Sequence, residues 1–377
     1  MRNVVRVMQA GDLHLGTPFS GSGFPVEKAR RRRRELLGTF RRLCQAVVER
    51  QAEILLLTGD LFEADWVTEA EVAEVRQQLA ALKRPVLITP GNHDSLQPGS
   101  PYFFGEWPEN VHIFGPEVGA ISFAEWNLTV HGVGYAGRWL RDNPYRDYRV
   151  PKDGRLHIVI VHGSFDAPEG TPYLPITAAE VRAIGADYAA FGHYHQPNVL
   201  LDAAGLMQAA YAGSLEPLGY DEQGEHGAFL LEVTSGGARA EWLPLAQRAY
   251  QKLDVEVGGA TSLQEIAAAV ERAVPEASKG RDLLEVTLLG GVEPSFLLDR
   301  EDLLDRLQHL AFHLRVVDGT HPDIDGGAYA AHSAQGRYVA KLRKRLENET
   351  DADKRRLLER ALQLGLLAYE RGKVVNT

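Results

Sequence analysis

Cysteine is nearly absent from this chain: its 377 residues contain one, Cys44, so no intramolecular disulfide can form. Long apolar runs are missing too, and the stretch around Leu56 is far too short to span a bilayer. There is no excess of positive charge. Against 51 Asp and Glu stand 41 Lys and Arg, a net charge of -10, so a nucleic-acid partner cannot be read from bulk charge and any footprint for one must be local. Met1 runs within a few residues into the strand-like VVRVMQAGD, so no apolar leader is expected. These absences exclude a disulfide-stapled secreted scaffold and a membrane-spanning chain, and the expectation is a cytoplasmic protein with no membrane partner. With 44% apolar and 24% charged residues, disordered and collagen-like classes are excluded as well.

What is present is an alternation of short apolar runs with helix-period segments, the pattern of strands covered by helices, so the fold class is α/β. Strands are expected at 4–7, 54–57, 86–88, 128–131, 158–161 and 188–191, each rich in Val, Ile, Leu or aromatics. Helices are expected at 27–50 and 68–83. Beyond Gln247 the pattern reads strand 253–257, helix 263–274, strand 283–289, helix 301–310 and strand 313–317. A Gly- and Asp-rich stretch, 318–327, reads as a linker before two closing helices at 329–346 and 352–371. The length suits two or three domains, drawn at 1–247, 248–325 and 326–377. Charge is segregated: from residue 336 onward 11 Lys and Arg face 6 Asp and Glu, while the preceding residues carry 30 against 45.

Five short motifs sit directly after strand candidates: GDLHLG with Asp12 and His14, TGDLF with Asp60, PGNHDS with Asn92, His93 and Asp94, VHGS with His162, and GHYHQ with His193 and His195. Singly, each is more often a turn or a satisfied core polar group. Their shared address is the argument, because loops at strand ends of an α/β sheet converge on one crevice. Carboxylates, imidazoles and an amide oxygen form a mixed ligand set that suits Mn, Fe or Zn better than Ca or Mg, and one ion would not use so many.

In this order the motifs resemble those of the calcineurin-like metallophosphoesterases, Asp-x-His, Gly-Asp, Gly-Asn-His-Asp/Glu, Gly-His and Gly-His-x-His, over residues 4–245. The resemblance implies a four-layer αββα sandwich with a smaller α/β capping domain and C-terminal helices. It implies one divalent ion, manganese by first choice, on Asp12, His14 and His195, a second on Asn92, His162 and His193, and Asp60 bridging both. Two ions about 3.5–4 Å apart can activate a bridging water and stabilise charge on the attacking and leaving oxygens. His93 is then free to contact the phosphate and assist the leaving oxygen, with Asp94 orienting it.

The layout around GDLF, DYAAFGHYHQP, YAGSLEPLGYDE and GAFLLEV, with the appended β-α-β-α-β segment, resembles the DNA-repair nuclease branch that includes the SbcD-type exonucleases. That resemblance implies a DNA exonuclease in double-strand-break repair, an SMC-like coiled-coil ATPase partner on the C-terminal helices, and homodimerisation through helices near 68–82 and 95–108. Some nuclease relatives carry His three residues after the bridging Asp, where this chain has Glu63, which puts a family-style endonuclease mode in doubt. A small-molecule phosphodiesterase or phosphatase, and a poorly cleaving metal-stabilised scaffold, stay open. Elsewhere plainer readings come first: the 30–34 arginine run as a solvated helix face, Cys44 as a packing residue, and the eight other histidines as structural or solvated. The five tryptophans read as core or interface packing, with base stacking an alternative at one or two.

Overall fold

A computed structural model of the chain describes residues 4–371 except 22, 168–169, 295 and 324–331, with backbone alone at 352, 370 and 371. It divides into two compact units, Met1–Ala249 and Tyr250–Thr377.

In the first unit the chain runs β1 (Val5–Ala10), α1 (Val26–Glu49), β2 (Ile54–Leu57), α2 (Glu69–Leu82), β3 (Val86–Ile88), β4 (Val111–Ile113), β5 (Gly119–Phe123), β6 (Leu128–Gly132) and β7 (Leu156–His162). It continues through β8 (Ser164–Phe165), β9 (Pro175–Ile176), α3 (Ala178–Ile184), β10 (Tyr188–Gly192), β11 (Asn198–Leu201), β12 (Met207–Tyr211), β13 (Gly227–Thr234) and β14 (Gly237–Pro244). All but β8 and β9 join one sheet in the order β4-β3-β2-β1-β13-β14-β12-β10-β7-β6-β5, with β11 paired to β12.

Side-chain alternation at period 2 folds this sheet onto itself. Val5 and Val7 of β1, Ile54 and Leu56 of β2, Ile158 and Ile160 of β7 and Ala190 of β10 share one inner core. The alternate residues Met8, Ala10, Leu55 and Leu57 face α1 and α2, while Val159, Val161, Ala189 and Phe191 face α3. The layer order is therefore helix, sheet, sheet, helix, with the two sheets joined as one curled sheet. Gln9 ties the halves together inside the core: its Nε2 donates to the carbonyls of Phe191 at 3.2 Å and Ala210 at 2.8 Å, and its Oε1 accepts from the Tyr188 hydroxyl at 2.6 Å.

β1 to β4 run parallel to one another, as do β6, β7, β10 and β12. Their C-terminal ends deliver the five motif loops. At that apex the backbone is tight enough to require glycine: a Cβ on Gly11 would sit 2.1 Å from Thr58 Oγ1, and one on Gly192 would sit 2.0 Å from the Thr58 carbonyl oxygen.

The arginine run departs from its expected role. Arg30 and Arg31 are exposed, but Arg32 is fully buried, donating to Glu216 at 3.0 Å, to Glu35 at 2.9 Å and to the Pro217 carbonyl at 3.0 Å. A guanidinium with this many acceptors can be buried, and helical periodicity does not reveal partners about 180 residues away. Glu35 also accepts from Arg248 and stays ionised more readily than usual, because the two arginines outweigh its burial. Cys44 packs in the core beside α1's other apolar residues, and burial pushes its thiol up to about 12. Residues 95–108 hold no α-helix, only a 3₁₀ turn at Pro101–Phe103.

The second unit contains β15 (Tyr250–Glu256), α4 (Leu263–Ala273), β16 (Leu283–Val292), α5 (Arg300–Leu307), β17 (His313–Pro322), α6 (Ala334–Asn348) and α7 (Ala352–Arg371). The three strands form a parallel sheet, β15-β16-β17. The expected linker begins too early, because β17 continues through Pro322, paired in register from Leu288↔Asp318 to Val292↔Pro322. Strand pairing here overrides turn-like composition; 324–327 of that linker and 329–331 of the expected helix lie outside the described residues. α6 and α7 cover each other through Val339, Leu342, Leu362 and Leu366. No helix among the described residues is long and apolar enough to cross a membrane.

Candidate active site

Backbone strain marks the site. Asp12, His14, Asp60 and His193 all have positive φ, at 50°, 46°, 48° and 111°, a region that non-glycine residues seldom occupy. The loops are stitched together: Asp12 N donates to the Gly59 carbonyl at 3.0 Å and His14 N to the Asp60 carbonyl at 2.9 Å. Gly59, at φ 97°, lets the His162 ring approach, since a Cβ there would lie 2.3 Å from Nδ1.

The sequence-expected residues come together. Candidate ligand atoms of Asp12, His14 and His195 lie within 4.8 Å of one another, as do those of Asp60, His162 and His193, and those of His14, Asp60 and His93. Asn92 joins the second group, its Oδ1 2.9 Å from His162 Nε2. Asp60 is central, with Oδ2 3.3 Å from His162 and 3.8 Å from His14, while Oδ1 accepts from the backbone N–H of His93 at 2.9 Å. Asp12, Asp60 and His162 are buried, and His93 is exposed.

Each of three imidazoles is aimed by a partner on its other nitrogen. His14 Nδ1 donates to Glu63 at 2.7 Å, His195 Nδ1 to Glu222 at 2.8 Å and His162 Nδ1 to the Thr58 carbonyl at 2.9 Å. Such bonds fix tautomer and ring plane, directing Nε2 inward. His14 Nε2 and His195 Nε2 stand 3.1 Å apart.

The electrostatics favour positive charge. Burial would lower His162, but Asp60 carries it up to about 9, and His195 reaches about 9 against its burial through Glu222 and Asp12. Asp60, despite burial, is held well below the usual carboxylate range by His162, His14 and His93, whereas burial raises Asp12. His193 falls to about 3 through burial and the nearby His162. Divalent cations would take the place of the protons that these carboxylates hold on the imidazoles, so carboxylate, imidazole and amide donors at this spacing fit two ions.

His93 lines an open cleft of about 320 Å³ with Glu63, Asp65, Asn92, Arg138, Trp139 and Tyr173. Its Nδ1 meets Glu63 at 2.9 Å, and that bond raises its pKa. The expectation that Asp94 orients His93 is corrected by the geometry. Asp94 is fully buried and accepts instead from Leu61 N and Gly91 N, both at 2.7 Å, and from the Tyr102 hydroxyl at 2.7 Å. Its carboxylate joins two loops, and burial raises it to about 6.

Two residues of the site carry little signal in the sequence. Glu222 lies 27 positions beyond His195, at the end of the YAGSLEPLGYDE segment, whose likeness to the nuclease branch assigns it no role, although it also accepts from Ser214 Oγ at 2.8 Å and Leu218 N at 3.0 Å. Glu63 stands out in sequence only as a departure from relatives; its spacing from the Asp60 turn, next to two histidine motifs, is the available clue.

This fold and site define a phosphoester hydrolase, and the chain belongs to the calcineurin-like phosphoesterase family, whose model matches residues 5–197. Members of this family use divalent metals. The chain is 31% identical over 318 residues to the uncharacterized metallophosphoesterase YhaO of Bacillus subtilis, covering 80% of this chain and 76% of that protein. It is 29% identical over 272 residues to the DNA double-strand break repair protein Mre11 of Methanopyrus kandleri, covering 62% of this chain and 55% of that one. To the SbcD component of the nuclease SbcCD of Bacillus subtilis it is 27% identical over 284 residues, covering 63% of this chain and 68% of that one.

Proposed function

We propose that this chain is a two-metal DNA phosphodiesterase, an exonuclease of the double-strand-break repair type. The observation that carries the reading is the meeting of two candidate ligand groups on Asp60, which Asn92 completes. Asp12, His14 and His195 would hold one ion and Asn92, His162 and His193 the other, with Asp60 between them; manganese is the first choice for this mixed donor set. Bound there, such ions supply an activated water and charge stabilisation on a phosphoester.

The protein's own groups do the rest. Glu63, Glu222 and the Thr58 carbonyl hold the imidazoles in one orientation. His93, with Nδ1 on Glu63, keeps Nε2 for a substrate in the cleft, where the protonated ring donates to the leaving oxygen. DNA as substrate is supported by the likeness to Mre11 and to the SbcD component of SbcCD. A partner component, an SMC-like ATPase by the resemblance of the sequence motifs, is supported by the likeness to the SbcD component of the nuclease SbcCD.

The test is hydrolysis of end-labelled linear DNA with added manganese, run beside Asp60→Ala, His93→Ala and bis-p-nitrophenyl phosphate. The reading expects DNA degradation that both substitutions abolish. Cleavage of the small ester alone overturns DNA as the unaided substrate.

A further inference from the structure

A single exposed tryptophan on a surface requires no explanation. Trp139, 60% exposed, differs by its address: it lines the same cleft as Asn92 and His93, with Tyr173 and Arg138. Its segment is tied to that of Tyr173, because an isolated bridge pairs Leu140 with Tyr173, Leu140 N donates to the Pro172 carbonyl at 2.9 Å and Leu174 N to the Leu140 carbonyl at 2.6 Å. The Tyr173 ring in turn lies 4.8 Å from the His193 ring. The aromatic wall is therefore anchored to the metal-ligand loops.

Positive charge accompanies the wall. The Arg141 guanidinium stands 5.8 Å from the Trp139 ring centroid, and Arg138 pairs with Asp65 at 3.1 Å. Both members of that pair are largely exposed, so the bond is weak and Arg138 can exchange Asp65 for a phosphate. His93 and Asn92 sharing one cleft with an indole, a phenol and a guanidinium match a phosphoester that carries a flat aromatic ring close to its phosphate.

We propose that Trp139, with Tyr173, forms a stacking subsite for a nucleobase attached to the reacting phosphate, and that Arg138 holds the neighbouring phosphate. This rests on the phosphodiesterase reading and deepens it to the substrate class. A base inside a duplex has both faces covered by its neighbours, so the subsite takes unpaired ends. The base belongs either to a strand or to a free nucleotide ester, and the stacking chemistry is common to both.

The experiment compares a single-stranded oligonucleotide with the same oligonucleotide carrying abasic positions, using wild type, Trp139→Ala and Trp139→Phe. Binding is read by fluorescence anisotropy and, with manganese, hydrolysis as kcat and KM. Wild type should prefer the base-bearing strand by on the order of 10-fold to 100-fold, mostly in Kd and KM. Trp139→Ala should bring that preference toward one, and Trp139→Phe should retain most of it. A preference unchanged in Trp139→Ala, or absent from wild type both among oligonucleotides and between the two p-nitrophenyl esters compared below, overturns the subsite. Because binding is measured separately, failure of hydrolysis with every ester counts against the phosphodiesterase reading alone. A parallel comparison of the p-nitrophenyl ester of thymidine 5′-phosphate with methyl p-nitrophenyl phosphate tells which source is used: preference there without preference among oligonucleotides assigns the subsite to free nucleotides.

Discussion

Glu63 Oε1 accepts a hydrogen bond from His93 Nδ1 at 2.9 Å, and the same oxygen accepts from His14 Nδ1 at 2.7 Å. One carboxylate thus aims an expected metal ligand and sets the charge of the expected acid. The two imidazoles outweigh burial and hold Glu63 down to about 2, so it is ionised throughout the working range.

Glu63→Gln should therefore weaken the acid without removing it. Its carboxylate raises His93, so the protonated ring persists to higher pH in wild type than in the variant. The alkaline limb of the kcat profile should move to lower pH, and kcat at neutral pH should fall on the order of tenfold, a part of the ~10²–10⁴ that a positioned acid contributes. An alkaline limb that stays in place contradicts the assignment.

Glu222→Ala should act on metal affinity. Without its bond to His195 Nδ1, the ring loses its fixed orientation, and manganese affinity should fall about 10- to 100-fold. Titration calorimetry on both proteins measures it; equal affinities would assign Glu222 to packing.

Asp94→Ala should cost stability. It strands buried donors on Leu61, Gly91 and Tyr102, a loss of about 3 kcal/mol or more at ordinary costs per unsatisfied group. Urea unfolding should show this for Asp94→Ala and not for the exposed His93→Ala. Wild-type stability in Asp94→Ala would return it to a catalytic role.

These cases show what a linear sequence can and cannot disclose. Asp12, Asp60, Asn92, His162 and His193 are legible because each follows an apolar strand, and parallel strands bring their ends to one edge. The capping box at Thr68, whose side chain accepts from Glu71 N, makes the start of α2 equally local. Glu222 and the buried Arg32–Glu216 pair are not legible, because their partners are chosen by the curl of the sheet and not by any nearby periodicity. Composition cuts β17 short for the same reason: its Asp-Gly end is held by β16 and not by its own propensity.

Acid should reveal a second buried pair. His131 Nε2 lies 2.9 Å from His157 Nδ1, and burial, aided by His157, lowers His131 to about 4. Between roughly pH 6.5 and 4 the unfolded chain binds a proton at this position that the folded chain does not, so stability is full above that window and falls as pH drops through it. Urea midpoints at pH 7.5 and 5 should diverge less in His131→Gln than in wild type. An equal divergence would place the acid sensitivity elsewhere.

The central claim is tested most directly by following bis-p-nitrophenyl phosphate hydrolysis while manganese is titrated into metal-free protein. The account predicts a rate that rises to a plateau at two equivalents per chain, and no such rise in Asp60→Ala. A plateau at one equivalent, or a rise that Asp60→Ala preserves, would contradict it.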